Sequence, residues 1–341
     1  MKNSLPSQEL AAEILEALQA AGFVKEASPI VTALTGGVSC EIWRVEEGGR
    51  RFVVKRALPK LRVEADWHAD VARNRYEQNY LRYVGGFLPE AVPKILLSGE
   101  KWDFFVMEFL DGDFVDWKKH LLAGEIDPWV AEAAGRTLGQ IHGRSWEDGN
   151  VARQFDTGRN FHDLRIAPYL LATAEKYPEL APSIYAEASR LAGTRRALVH
   201  GDYSPKNLMV APDRLVVLDC EVAWYGDPAF DVSFLTSHLL LKSLHRPSDA
   251  VGFLGLIDAF LAAYRAELGD KRYAVVAADC PRLLLCLLLA RVDGKSPVEY
   301  LADEGKRDFL RGFAARHLLN PPEELSECLS LWRDALPKFP K

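Results

Sequence analysis

Three polar side chains within residues 198–219, Asp202, Asn207 and Asp219, have the types and spacing to do chemistry. The segment reads LVHGDYSPKNLMVAPDRLVVLD, with each polar group placed beside an apolar run (Ala197 to Val199, Leu208 to Val210, Leu215 to Leu218). Such runs predict short buried strands, and a carboxylate or amide at a strand end is held rigidly. Phosphoryl transfer asks a protein for a carboxylate near the attacking hydroxyl, oxygen ligands for magnesium and a cation on the nucleotide phosphates. Asp202 suits the first role. Asn207 and Asp219 suit the second, because both present hard oxygen, which favours magnesium over zinc.

A lone Asp or Asn beside a strand is usually a turn or cap residue. Several typed positions in order change the balance. The Asp-to-Asn offset equals that of the kinase catalytic loop H-R-D-x-x-x-x-N, with Gly201 in place of the Arg. Asp219-Cys220-Glu221 stands where a protein kinase has D-F-G. HGDYSPKN (His200 to Asn207) followed by VLDCEVAWYGDPAFDVSF (Val217 to Phe234) resembles the aminoglycoside phosphotransferase and choline kinase-like superfamily of small-molecule kinases, from about residue 30 to about residue 300. The resemblance implies a protein-kinase-like bilobal α+β fold: a small antiparallel-sheet lobe over residues 1–110 and a larger, mainly helical lobe over 111–341. It also implies that Asp231, in the G-D-P-x-x-D element, bonds back to the catalytic loop. Glu221 and Asp227 are further candidates to assist a metal or the acceptor, and His200 reads as a scaffold for the loop.

The nucleotide side of such a site needs a lysine on a strand after a glycine turn. Val31 to Leu34 is strand-like, Thr35-Gly36-Gly37-Val38-Ser39 is a turn, and Ile42 to Val45 suits a second strand. Glu46-Glu47-Gly48-Gly49-Arg50 signals a hairpin, and Phe52-Val53-Val54-Lys55 a third strand. Lys55 resembles the phosphate-binding lysine of the kinase V-A-I-K strand, and the turn at Gly36, Gly37 and Ser39 would lay N–H groups over phosphates. Alone, the turn is an ordinary hairpin and the lysine a solvated one; their order raises both. Val71 to Val84 predicts a helix stopped by Gly85-Gly86, and Glu77 on it is the best partner for Lys55, with Glu64 and Asp70 as competitors. Phe104 to Leu110 is an apolar strand, and the resemblance implies that backbone near Glu108 and Leu110 meets the adenine edge. VVKRALPKLRV (Val53 to Val63) with Asp66-Trp67 resembles methylthioribose kinases, whereas Asn207 and Gly226-Asp227-Pro228 depart from them.

The chain has 341 residues and a net charge of −6, from 42 basic and 48 acidic residues, which argues against a nucleic-acid partner. Its 48% hydrophobic and 26% charged content is that of an ordinary globular protein. Five scattered cysteines form no C-x-x-C pair, so neither a zinc site nor a disulfide framework is expected. The N-terminus lacks a signal-peptide core, and the most apolar run, Leu283 to Ala290, is too short to span a bilayer. No membrane partner and a cytoplasmic location are therefore expected.

Ser7 to Ala21 predicts an amphipathic helix, and Asp127-Pro128 opens another that carries His142, a structural histidine or a site group. Phe230 to Leu244, Gly252 to Ala266 and Asp279 to Arg291 are helix-length, and the resemblance puts the acceptor site among such C-terminal helices. Arg291, Asp293 and Lys295 form a polar patch after the last of these. It is either a capped helix end or an acceptor pocket, with the cations on an anionic group and Asp293 on a cation or hydroxyl. Trp224, Tyr225 and His238 are candidates for the pocket wall. The expected activity is magnesium-dependent transfer of the ATP γ-phosphate to a hydroxyl of a small-molecule acceptor, with GTP not excluded as donor. The alternatives are a protein kinase, a nucleotide-binding pseudokinase without turnover, and an aminoglycoside resistance phosphotransferase.

Overall fold

In a computed structural model, which describes residues 10–34, 39–62 and 69–336, the chain divides into two compact units, Met1–Phe114 and Val115–Lys341. The elements of the first are α1 (Ala12–Ala20), β1 (Ile30–Ala33), β2 (Cys40–Glu47), β3 (Arg50–Ala57), α2 (Arg73–Gly85), β4 (Ile95–Ser98) and β5 (Phe104–Glu108). The strands form one antiparallel sheet in the order β1-β2-β3-β5-β4. Alternation along the strands sends Trp43, Val45, Phe52, Val54, Phe104 and Val106 into one cluster with Ile14 and Leu18 of α1. Lys55, one residue on from Val54, therefore belongs to the other face, as does Val53.

Helix α2 is tied to the strand ends by Arg73. This fully buried guanidinium donates to the carbonyls of Ser39 and Leu58, each at 2.6 Å. The tie sets the height of Glu77, one turn further along.

The second unit contains β6 (Val115–Asp116), α3 (Trp117–Ala123), α4 (Pro128–Ser145), α5 (Gly149–Gln154), α6 (Gly158–Phe161), a π-helix at His162–Leu171, α7 (Ala172–Lys176) and α8 (Ala181–Gly193). There follow β7 (Ala197–Val199), β8 (Leu208–Ala211), β9 (Arg214–Val217), β10 (Trp224–Gly226), α9 (Ala229–His245), α10 (Ala250–Leu268), α11 (Asp270–Asp293), α12 (Glu304–Leu319) and α13 (Leu325–Ala335). The short strands pair as β6-β8-β9 and β10-β7. As its sequence suggests, α4 opens on an Asp127 cap, the carboxylate accepting from Trp129 N–H at 2.9 Å. It packs along α10, where Gly139 leaves room for the backbone: a Cβ there would sit 2.9 Å from the Tyr264 carbonyl oxygen.

The apolar run at Leu283 to Ala290 is part of a much longer helix than expected. Helix α11 has 24 residues, long and apolar enough by composition to cross a membrane. However, 61% of its most apolar window is buried inside the protein, against α9 and α12 among others. A helix apolar all round can be the core of a large helical unit, and this one is used as that core.

Candidate active site

The strands β7, β8 and β9 bracket a loop whose backbone is fastened from below by one carboxylate. Asp231, fully buried in the first turn of α9, accepts from the N–H groups of His200 at 2.7 Å and Gly201 at 2.9 Å. His142 on α4 approaches the same carboxylate at 3.3 Å and bonds the Tyr264 hydroxyl at 2.9 Å through its other ring nitrogen. His142 is thus part of the anchor. Gly201 has φ +78°, and a Cβ there would lie 2.8 Å from the Val222 carbonyl oxygen. An Arg, as in protein kinases, would be strained and crowded at this position.

His200 closes the loop on itself. Its Nδ1 accepts from Asp202 N–H at 3.1 Å, and its Nε2 lies 3.1 Å from the Leu218 carbonyl. That pattern requires the neutral tautomer with the proton on Nε2. Burial also pushes the imidazole pKa down, against the pull of Asp231 and Asp202. The Asn207 amide nitrogen donates to the Asp202 carbonyl at 2.9 Å, which leaves its oxygen for the acceptor role. Asn207 and Leu218 are joined by a backbone bond at 2.9 Å, which brings Asp219 to the same end of the loop. Asp219 has φ +61°, a left-handed conformation uncommon outside glycine. Strained backbone of this kind collects at functional sites, where surrounding structure enforces it.

Asp202 is only 6% exposed and sits between two cations. Arg165 Nη2 is 3.2 Å from its carboxylate and Lys206 Nζ is 3.1 Å away. Burial raises the carboxyl pKa, but Lys206 and Arg165 outweigh it and hold the group below the usual carboxylate range. Arg165 also donates through Nε to the Gly201 carbonyl. It comes from the π-helix, an element that sequence reasoning did not foresee. The available signal was Pro168, whose missing N–H and ring disturb α-helical bonding from within.

In the first unit, Lys55 Nζ and Glu77 Oε1 form an ion pair at 2.8 Å, each residue 2% exposed. Asp70 instead accepts from Ala72 N–H at 2.8 Å, and Glu64 lies outside the described residues. So do Gly36 and Gly37. Ser39 is buried at the start of β2, its carbonyl occupied by Arg73 and by Leu58 N–H. The β3–β5 ladder ends at Glu108, whose N–H donates to the Lys94 carbonyl at 2.8 Å. Its backbone donor is therefore committed, and Leu110 lies beyond the ladder.

Several expected acceptor-site residues have other work. Asp293 accepts two hydrogen bonds from Arg311, at 2.9 and 3.0 Å, and one from the Tyr177 hydroxyl at 2.5 Å, so it pins α11 to α12. Lys295 is exposed, and its N–H caps the Pro168 carbonyl. Trp224 is 2% exposed and stacks on Phe161 at 4.2 Å, in the core. The Tyr225 hydroxyl donates to the Arg196 carbonyl at 2.9 Å. Asp227 caps α9 through Ala229 N–H at 3.0 Å and pairs with Arg190, which makes it structural. Glu221, 6% exposed, follows Asp219 closely, and its carbonyl accepts from Asn160 at 3.0 Å. Arg291 and His238 are buried in the helical region, at 9% and 8% exposure.

A magnesium ion would find hard oxygens on Asn207 and Asp219. Among the described residues no group of three or more His, Cys, Asp or Glu stands together as a metal cage. Magnesium commonly takes one or two protein oxygens and completes its shell with water and substrate phosphates, so the donor set fits.

Residues 30–276 match the family described as the phosphotransferase enzyme family. A methylthioribose kinase of Bacillus thuringiensis subsp. konkukian (strain 97-27) is 24% identical over 261 residues, 68% of this chain and 65% of that protein. The chain thus spans just under two thirds of that relative's length. Among solved structures, an amicoumacin kinase in complex with AMP-PNP and Ca2+ superposes with a TM-score of 0.61 at 14% identity, covering 93% of this chain and 97% of that one. A choline kinase from Cryptosporidium parvum Iowa II gives 0.55 at 13% identity, covering 95% and 99%. The fold is therefore protein-kinase-like, an antiparallel-sheet unit and a mainly helical one, and the chain belongs to the phosphotransferase enzyme family.

Proposed function

We propose that this protein transfers the γ-phosphate of ATP to a hydroxyl of a small-molecule acceptor. The observation that carries this reading is Asp202: a buried carboxylate kept ionised by Arg165 and Lys206, on a loop anchored by Asp231, with Asn207 and Asp219 at the same end. Family membership and a structural neighbour holding AMP-PNP support the choice of donor.

Asp202 accepts a hydrogen bond from the acceptor hydroxyl and aims its oxygen. With its pKa held low, it is a weak proton acceptor, so orientation outweighs early deprotonation. That suits a loose transition state, in which the hydroxyl proton leaves late. Asn207 and Asp219 hold magnesium, which when bound offsets charge on the phosphate oxygens. Lys55, kept extended by Glu77, binds nucleotide phosphates, and Arg165 and Lys206 place positive charge where the transferred group passes. The turn at Gly36 and Gly37 covers phosphates in this reading, and backbone near Leu110 meets the base.

The test is a magnesium–ATP phosphotransfer screen over small alcohols, sugars, hydroxy acids and amino alcohols, with Asp202→Asn in parallel. Acceptor-dependent ADP release that disappears in the variant is expected. Nucleotide binding with no acceptor-dependent release across the panel would instead favour a binding protein built on a kinase fold.

A further inference from the structure

Helix α9 buries a lysine completely. Lys242 is 0% exposed, and Arg291 on α11 is 9% exposed. Lys242 Nζ lies 5.0 Å from the centre of the Tyr300 ring, and its hydrogen bond is a long one, 3.4 Å to the His238 carbonyl. Arg291 donates to the Tyr169 hydroxyl at 3.2 Å and to the carbonyl and hydroxyl of Ser296, while its Nε is buried without a partner. Among the described residues no carboxylate pairs with either cation. His238, one turn before Lys242, is 8% exposed, and the Tyr300 hydroxyl is buried without a partner.

Burying one uncompensated charge is expensive, and burying two near each other is worse. Folded proteins rarely keep a fully buried lysine without a counter-charge. The electrostatics bear this out. Burial, followed by the charges of Lys118 and Arg291, pulls the Lys242 pKa down to about 7. Glu299 opposes that shift, yet its carboxylate is 68% exposed and already bound to Lys118.

The cluster is also linked to the catalytic loop. Tyr169 has the Arg291 guanidinium 5.8 Å from its ring centre and the Arg165 guanidinium at the same distance. Arg165 in turn contacts Asp202 at 3.2 Å. A line of side chains thus runs from Asp202 through Arg165 and Tyr169 to Arg291, all within the second unit.

We infer that Lys242 and Arg291 form the site for an anionic group, a carboxylate or a phosphate, carried by the hydroxyl-bearing acceptor. An anion supplies the missing counter-charge, and using this site together with Asp202 selects acceptors that bear both an anionic group and a hydroxyl. The assignment of this anion to the acceptor rests on the phosphotransferase reading; the anion site itself does not.

The experiment is thermal melting of the full chain, at matched ionic strength, with glycerol 3-phosphate, glycerate, glycerol or ethanolamine. The wild type is expected to melt several degrees higher with one or both anions and to be unmoved by the neutral and cationic alcohols. The larger of the two anion shifts tells phosphate from carboxylate. Lys242→Met should melt above the wild type without ligand and lose the anion shift; Arg291→Gln serves as a second variant should the first not fold. Equal shifts from all four compounds, no shift from either anion, or anion shifts retained in both variants would overturn the inference. Anion binding with no acceptor-dependent ADP release would sink the kinase reading alone. Turnover of glycerol or ethanolamine with undiminished rate in Lys242→Met would sink the inference alone.

Discussion

Each unit of this protein buries charge, and one cluster in each does so in the opposite way to the other. In the first, Lys55 and Glu77 bury one cation against one anion, both 2% exposed and 2.8 Å apart. In the second, Lys242 and Arg291 bury two cations with no carboxylate partner among the described residues. Asp202 is intermediate, one anion against Arg165 and Lys206. A balanced pair fixes a side chain in place and is stable before any ligand arrives. An unbalanced cluster costs stability until something of opposite sign arrives. The difference separates a cation held by its own partner from cations that await one.

The largest effect should come at the intermediate site. Asp202→Asn keeps shape and removes the charge, and phosphotransfer should fall by about 10²–10⁴-fold in kcat, the usual worth of a positioned carboxylate. Nucleotide binding should be nearly unchanged, because Asp202 is assigned to the acceptor. Steady-state kinetics beside nucleotide titration would check this. A variant with wild-type kcat would remove Asp202 from the chemistry.

Stability measurements should then separate the two extremes by sign. Glu77→Ala breaks a buried ion pair by removing one partner, at a cost of up to about 3–5 kcal/mol in unfolding free energy. Lys242→Met should do the reverse and stabilise the unliganded protein, since methionine fills similar volume without a charge. Urea unfolding of both variants against wild type is the measurement. Shifts of the same sign would break the comparison, because Lys242 would then be as well compensated as Lys55.

What could be read in the sequence follows the same division. The loop from His200 to Asn207 was legible because its bonds are local: Asn207 reaches Asp202 five residues back, and Asp202 N–H reaches His200 two back. The hairpin strands around Lys55 were legible because a Gly48-Gly49 turn joins two short apolar runs. Lys242 was not, since a lysine in the last turn of a helix is the usual complement of the helix dipole. The partners of Asp293 were not legible because Arg311 and Tyr177 stand 18 and 116 positions away. Arg165 was missed because nothing in LRIAPYLL marks an inward guanidinium; only the π-helical path directs it at Asp202. Recognition groups in this unit are brought together by helix packing, and no short spacing records that.

Lys242 also gives a pH signature. Its neighbours are His238 on α9, Lys118 on α3, Arg291 on α11, and Glu299 and Tyr300 after it. The folded-state pKa of about 7 lies below the ordinary lysine value. Between the two, the unfolded chain holds a proton that the folded chain has released. This group's contribution is therefore fully present above the unfolded pKa and is lost as pH falls towards 7, by at most about 1.4 kcal/mol per pH unit. The stability advantage of Lys242→Met over wild type should widen from pH 10 to pH 7 and then level off. Taking the difference between the two proteins cancels the other titrating groups. A gap constant with pH would mean that Lys242 stays protonated in the folded state.

The smallest effect tests how the cations are left unbalanced. Glu299 binds Lys118, but it is 68% exposed, and the pair is largely screened by water. Glu299→Gln should therefore change stability by no more than about 1 kcal/mol. Its effect on recognition should be larger than its effect on folding. Removing the carboxylate takes away the negative charge that opposes the fall in the Lys242 pKa, and it releases Lys118 to add its own positive field. At pH 6 and below, where Lys242 stays protonated, both changes make the neighbourhood more positive. Anion binding should then tighten, by a few-fold at low salt, and the gain should shrink as ionic strength rises. Calorimetric titration of glycerol 3-phosphate and glycerate into wild type and Glu299→Gln at pH 6 and two salt concentrations would show it. Weaker binding in the variant would mean that the pair with Lys118 organises the site, and the unbalanced charge would then belong to a different occupant than a simple anion.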